Sequence, residues 1–94
     1  MAFKRVIFRV HALQRMFERE ISHEEVMQCL ESGSVIEDYP EDKPYPSQLM
    51  LGWFGERPIH VLVAKAEQDT GIVITVYEPD AKHWLGNFEH RRTK

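Results

Sequence analysis

Cysteine is almost absent from this sequence: Cys29 is the only one in 94 residues. An internal disulfide is therefore excluded, and so is the thiolate pair of a structural zinc site. Long apolar runs are missing too. The stretch Ile72-Val73-Ile74-Thr75-Val76-Tyr77 is among the longest, and it is strand-sized, far below the roughly 20 residues of a membrane span. No glycine-rich phosphate loop, metal-ligand spacing or nucleophile motif occurs, and neither does a repeat or a low-complexity tract. Residues 1–10 alternate charge with bulk and lack the continuous apolar region of a signal peptide. The expectations are a cytoplasmic location, no membrane, no metal and no cofactor.

What is present is ordinary for a globular chain. With 43% hydrophobic and 29% charged residues, extended disorder is disfavoured, and the length suits one domain over residues 1–94. The net charge of −3 argues against indiscriminate nucleic-acid binding, but the charge is unevenly spread. Lys4, Arg5, Arg9, Arg15 and Arg19 face only Glu18 in residues 1–19, while residues 20–56 carry nine carboxylates against Lys43. Arg91, Arg92 and Lys94 crowd the other end. Basic ends brought together by the fold would give an acidic protein a local phosphate-binding surface. Solvated surface charge is the equally weighted alternative.

Hydrophobic period locates the elements. Alternation over residues 3–10, with Val6, Phe8 and Val10 on one side, reads as a half-buried strand. From His11 the period becomes helical: Ala12, Leu13, Met16 and Phe17 share one side, and His11, Gln14, Arg15 and Glu18 the other. Ser22-His23-Glu24-Glu25 is a capping box that starts a second helix, with Val26, Cys29 and Leu30 inward and Gly33 as its stop. A short strand from Val35 to Tyr39 leads into a loop stiffened by Pro40, Pro44 and Pro46. Leu49 to Phe54 and Ile59 to Ala66 read as strands around a two-residue turn at Gly55-Glu56. A four-residue turn at Gln68 to Gly71 then leads to a last strand over Ile72 to Glu78. Asp80 can cap a terminal helix carrying Trp84, Leu85 and Phe88, with Gly86-Asn87 as its weak point. The fold class is α+β, in the order β-α-α-β-β-β-β-α, with a helical hairpin on one face of an antiparallel sheet.

Register then sorts the sheet's side chains. The first turn sets Leu51 opposite His60, and the second sets Leu62 opposite Tyr77. One face receives Met50, Phe54, Ile59, Val61, Val63, Ile74 and Val76, suited to the helices. The other receives Leu49, Leu51, Trp53, His60, Leu62, Thr75 and Tyr77, a mixture of bulk and polar tips that suits a ligand-binding concavity. A slip of one residue in either turn would exchange the faces of a strand.

Of five histidines, His60 stands out because it interrupts an apolar strand. Two readings compete: a buried histidine satisfied by a hydroxyl, or a proton-transfer group with a pKa near neutrality. His11, Arg15 and Arg19 recur at a spacing of four. Guanidinium groups match phosphate oxygens, and with a histidine and a tyrosine they would suit RNA cleavage by the 2′-hydroxyl. An ion-paired helix face is the competing reading.

The run His-Ala-Leu-Gln-Arg-Met-Phe-Glu-Arg-Glu-Ile-Ser from His11, with Val35-Ile36-Glu37-Asp38-Tyr39 and Ile74-Thr75-Val76-Tyr77-Glu78-Pro79, resembles a bacterial domain-of-unknown-function family, DUF 4258. The likeness also takes in Pro44-Tyr45-Pro46, Leu51-Gly52-Trp53 and Trp84. The family in turn resembles, more distantly, the RelE-like and BrnT-like toxins of toxin–antitoxin pairs, which set a helical hairpin on an antiparallel sheet. What the resemblance implies is a metal-independent, toxin-like endoribonuclease with an antitoxin protein and RNA or the ribosome as partners. On that reading Arg15, Arg19, Arg91 and Arg92 bind RNA, His60 or His11 moves protons, and Tyr77 orients or donates. The acidic balance departs from the basic character common among such toxins. The alternative is a non-catalytic module binding a protein or small ligand on the same concave face.

Overall fold

In the computed structural model, which describes residues 3–91, each half of the chain contributes to a single sheet. The elements are β1 (Arg5–Phe8), α1 (Val10–Arg19), α2 (His23–Ser32), β2 (Ser34–Tyr39), β3 (Ser47–Phe54), β4 (Arg57–Ala66) and β5 (Thr70–Tyr77). The strand order is β1-β5-β4-β3-β2. Three neighbouring pairs are antiparallel, but β1 runs parallel to β5, with Ile7 opposite Ile72. The fold is thus α+β with two helices and a five-stranded mixed sheet, not the purely antiparallel sheet expected. The reason is topological: the chain leaves β1 directly into α1, and after two helices and three strands β5 lines up beside it.

Local signals in the sequence account for both helices. Ser22 Oγ accepts from the Glu25 amide at 3.0 Å while the Glu25 carboxylate accepts from the Ser22 amide at 2.7 Å, which completes the capping box. At the end of α1, Glu20 takes a left-handed φ of 56° and its amide reaches back to the Met16 and Phe17 carbonyls. The first strand is shorter than its alternation implied. Val10 belongs to α1, while Phe3, Val6 and Phe8 pack against the core.

The core lies between the helices and one sheet face. Ala12 and Met16 of α1 and Val26, Cys29 and Leu30 of α2 meet Met50, Ile59, Val61, Val63, Val73 and Val76. Cys29 is a small core residue here, and burial pushes its thiol up to about 12. Three apolar residues of α1 do not join the core: Val10, Leu13 and Phe17 face solvent, Phe17 at 87% exposure. Sharing a helix side with Met16 was insufficient, since only the narrow Ala12–Met16 edge reaches the sheet.

Gly52 lets α2 approach closely. A Cβ there would meet the Cys29 Cβ at 2.7 Å and its Cα at 2.9 Å, both fixed to the helix backbone. Gly52→Ala is therefore expected to destabilise the fold by about 1–3 kcal/mol, measured by urea denaturation. Gly55→Ala meets nothing within 4 Å and tests only the turn's φ of 68°.

The Gly55-Glu56 hairpin sets Leu51 opposite His60 as expected. The next turn differs. Ala66 pairs with Thr70, so it spans Glu67 to Asp69, with Gln68 and Asp69 both at positive φ. A β-bulge then leaves Ile74 between the pairs Val63–Val73 and Leu62–Thr75. Tyr77 consequently stands opposite His60 and not Leu62, and Val73 takes the core place expected of Ile74.

No terminal helix forms. Asp80 does cap a turn, its carboxylate accepting from the His83 amide at 3.0 Å. The chain then bends through Gly86-Asn87, Phe88 adopts a φ of 60°, and Trp84 bridges to Arg91 in antiparallel fashion. Residues 80–91 make an irregular strap. Among the described residues, no helix is long and apolar enough to cross a membrane.

Candidate functional site

Side chains alternate across a strand, so the neighbours of core residues Val61 and Val76 point away from the helices. They include His60 and Tyr77, and the strap lies over these two on the sheet's second face. Trp84 is buried and meets the His60 ring edge-on, at 4.4 Å between centroids and 86° between planes. Phe88 packs edge-on against Trp53 at 6.0 Å. The imidazole is left with 0% exposure.

Its hydrogen bonds define its state. His60 Nε2 lies 2.8 Å from the Phe88 carbonyl oxygen, and Nδ1 lies 3.2 Å from the Tyr77 hydroxyl. A carbonyl can only accept, so Nε2 carries the proton; neutral Nδ1 then accepts from Tyr77. Burial is the main cause holding the His60 pKa below its ordinary value, and the Arg91 charge acts in the same direction. The Tyr77 phenol is pushed up, first by burial, and keeps its proton. The sequence of donors therefore runs one way, from Tyr77 to His60 to the strap.

Beside this pair opens a cleft of roughly 270 Å³. Leu49 and Leu62 line it with Thr75 and Tyr77; Tyr39, Asp42 and Arg91 complete it. Arg91 holds Glu37 with two bonds, Nε to Oε2 at 3.0 Å and a terminal nitrogen to Oε1 at 3.2 Å, while its guanidinium lies 4.6 Å over the Trp84 ring. The Tyr39 hydroxyl donates to the same Glu37 carboxylate. Burial acts to raise the Glu37 pKa, but the hydrogen bonds from Tyr39 and Arg91, with the Arg91 charge, together hold it below the usual carboxylate range. Asp42 accepts a 2.5 Å bond from the buried Ser47 hydroxyl and has no ion-pair partner among the described residues.

The residues singled out in the sequence divide between two faces. His60, Tyr77 and Arg91 come together around the cleft. His11, Arg15 and Arg19 belong to α1, against the opposite face. His11 is exposed, Arg15 pairs with Glu18 at 3.2 Å, and Arg19 donates to the Val76 carbonyl at 3.2 Å on the β5 edge beyond the last β1 pair. The basic ends are thus not united in one surface by these residues; Arg92 lies outside the described residues. Sequence reasoning passed over Glu37, Tyr39 and Asp42. Period-two alternation puts Glu37 and Tyr39 on one side of β2, a signal hidden by the shortness of that strand. Among the described residues no three His, Cys, Asp or Glu side chains gather as a metal site.

A family model described as a domain of unknown function, DUF4258, matches residues 8–78. The match covers most of the chain, which therefore belongs to that family. No curated protein and no solved structure matches.

Proposed function

We propose that this member of the DUF4258 family is a ligand-binding domain, with the cleft beside Tyr77 as its site. The observation that carries the reading is the sealed polar chain behind the cleft. A buried imidazole is costly unless both nitrogens are satisfied. Here its satisfaction fixes one hydroxyl, that of Tyr77, at the wall of a hollow that sets two leucines among polar and charged side chains. Leu49 and Leu62 offer apolar surface, and Thr75, Tyr39, Asp42 and Arg91 orient what sits there.

A toxin-like endoribonuclease is the second reading, supported by the distant likeness to RelE-like and BrnT-like toxins and by Tyr77 and Arg91 lining one cleft. An antitoxin partner, RNA or ribosome binding and a cytoplasmic location go with it. It draws less on the geometry. Arg15, Arg19 and His11 sit across the sheet from His60, and Arg91 is matched by Glu37 with Asp42 nearby.

The test is a fragment screen on isotope-labelled protein, with labelled RNA incubated in parallel. Fragment-induced shifts are expected to cluster at Leu62, Thr75 and Tyr77, and Thr75→Trp, which fills the hollow, should abolish them while the fold persists. The RNA is expected to stay intact. Cleavage by the wild type that Arg91→Ala removes would transfer the conclusion to the nuclease reading.

A further inference from the structure

We propose that the cleft selects a cation, a primary ammonium or guanidinium carried on an apolar stem, and rejects carboxylates and phosphates; this rests on the cleft being the binding site. The argument comes from hydrogen-bond direction. The Tyr77 hydroxyl donates its hydrogen bond to His60, and the Tyr39 hydroxyl donates its own to Glu37. The Tyr77 oxygen therefore turns only lone pairs toward a ligand, and the Tyr39 oxygen, which also faces the Arg91 guanidinium, has no hydrogen left to donate. Asp42 is an acceptor as well, held by Ser47 and lacking an ion-pair partner among the described residues. The opposing charge, Arg91, is already engaged by Glu37 through two bonds. Counting Arg91, Glu37 and Asp42 together, the site carries one negative charge beyond balance. The Leu49 and Leu62 side chains would take the stem, and the tyrosine rings add the attraction of aromatic faces for a cation. An anion would meet oxygen lone pairs and the Glu37 and Asp42 charges, beside an Arg91 whose own charge is already offset by Glu37.

Three side-chain series test this on the full-length protein by amide chemical shifts: n-hexylamine, hexanol and hexanoate, with inorganic phosphate beside them. Saturable shifts at Leu62, Thr75 and Tyr77 are expected with hexylamine, weakening as salt is raised. Hexanoate and phosphate should leave them unmoved. Asp42→Asn, which keeps an oxygen for Ser47, should weaken hexylamine at least about tenfold, as loss of a charged hydrogen bond does. A lysine-bearing peptide binding more tightly than hexylamine assigns the natural cation to a protein side chain; equal affinity assigns it to a small amine. Tighter binding of hexanoate or phosphate, or hexylamine affinity unchanged in Asp42→Asn, would overturn the charge assignment while leaving the cleft as a site. Silence from every probe at these residues would overturn both.

Discussion

Alanine in place of His60 is expected to cost on the order of 3–5 kcal/mol of stability. The substitution empties a fully buried site and strands two polar groups, the Tyr77 hydroxyl and the Phe88 carbonyl. It also removes the ring against which Trp84 packs, so the strap should loosen as a unit, visible as faster amide exchange over residues 80–91. His60→Gln, which retains a donor and an acceptor, should be milder. Wild-type stability should carry a histidine signature as well. Burial lowers the His60 pKa in the folded state from an ordinary 6.5. The unfolded chain then takes up the proton first as pH falls, so the contribution is complete above pH 6.5 and is lost below it until the folded imidazole also protonates. Denaturant titrations on either side of that pH should show the slope in the wild type, and His60→Gln should lack it. An equal slope in both proteins would sink the account of a neutral, buried imidazole.

Arg57→Ala is expected to destabilise by about 3 kcal/mol, the low end for breaking a buried ion pair. Arg57 opens β4 and ties three elements together. It bonds Glu25 at 3.0 Å, Glu78 at 3.0 Å, and the Arg19 and Glu20 carbonyls at 2.9 and 3.1 Å. Glu25 is only 7% exposed, so losing its partner leaves a poorly hydrated carboxylate beside two unpaired carbonyls at the end of α1. The side chain of Arg57 is itself 30% exposed, and that solvent access keeps the figure at the low end. Arg57→Lys should recover only part of the loss, because a single ammonium cannot reproduce the planar fork. Thermal denaturation of the three proteins makes the comparison, and a lysine variant as stable as the wild type would refute the fork.

Arg57 also illustrates where sequence reading stops. Its partners lie 21 to 38 residues away, and nothing in their spacing announces a shared site. Local signals, by contrast, were legible. Ser22 and Glu25 specify a cap, and Gly55 a turn, through groups adjacent in the chain. The faces of β4 and β5 were read correctly at His60 and Tyr77 for a less secure reason. The turn before β5 departs from expectation by an odd number of residues, and the Ile74 bulge adds one more. Parity was restored at Tyr77 but not nearer the turn, where Val73 displaced Ile74. The strap was missed because a run with Trp84, Leu85 and Phe88 at helical spacing bonds to His60 and Glu37 instead. Only tertiary contacts decide between those outcomes. As for the cleft, Tyr77, Thr75 and Leu62 were visible from alternation, while Asp42 reaches it from the loop between Tyr39 and Ser47.

The parallel pairing of β1 with β5 has a consequence for the order of assembly. Strands β2, β3 and β4 pair with near neighbours in the chain, and α2 packs on β3 and β4. That middle portion can condense through short loops. β1 and the buried edge of α1 both depend on β5, some sixty residues downstream in the register of Arg5 with Thr70. Closing so long a loop is the slow kind of step in folding. The first strand and helix are thus among the last parts to be housed, since β1 and the buried edge of α1 gain their sheet partner only when β5 is in place.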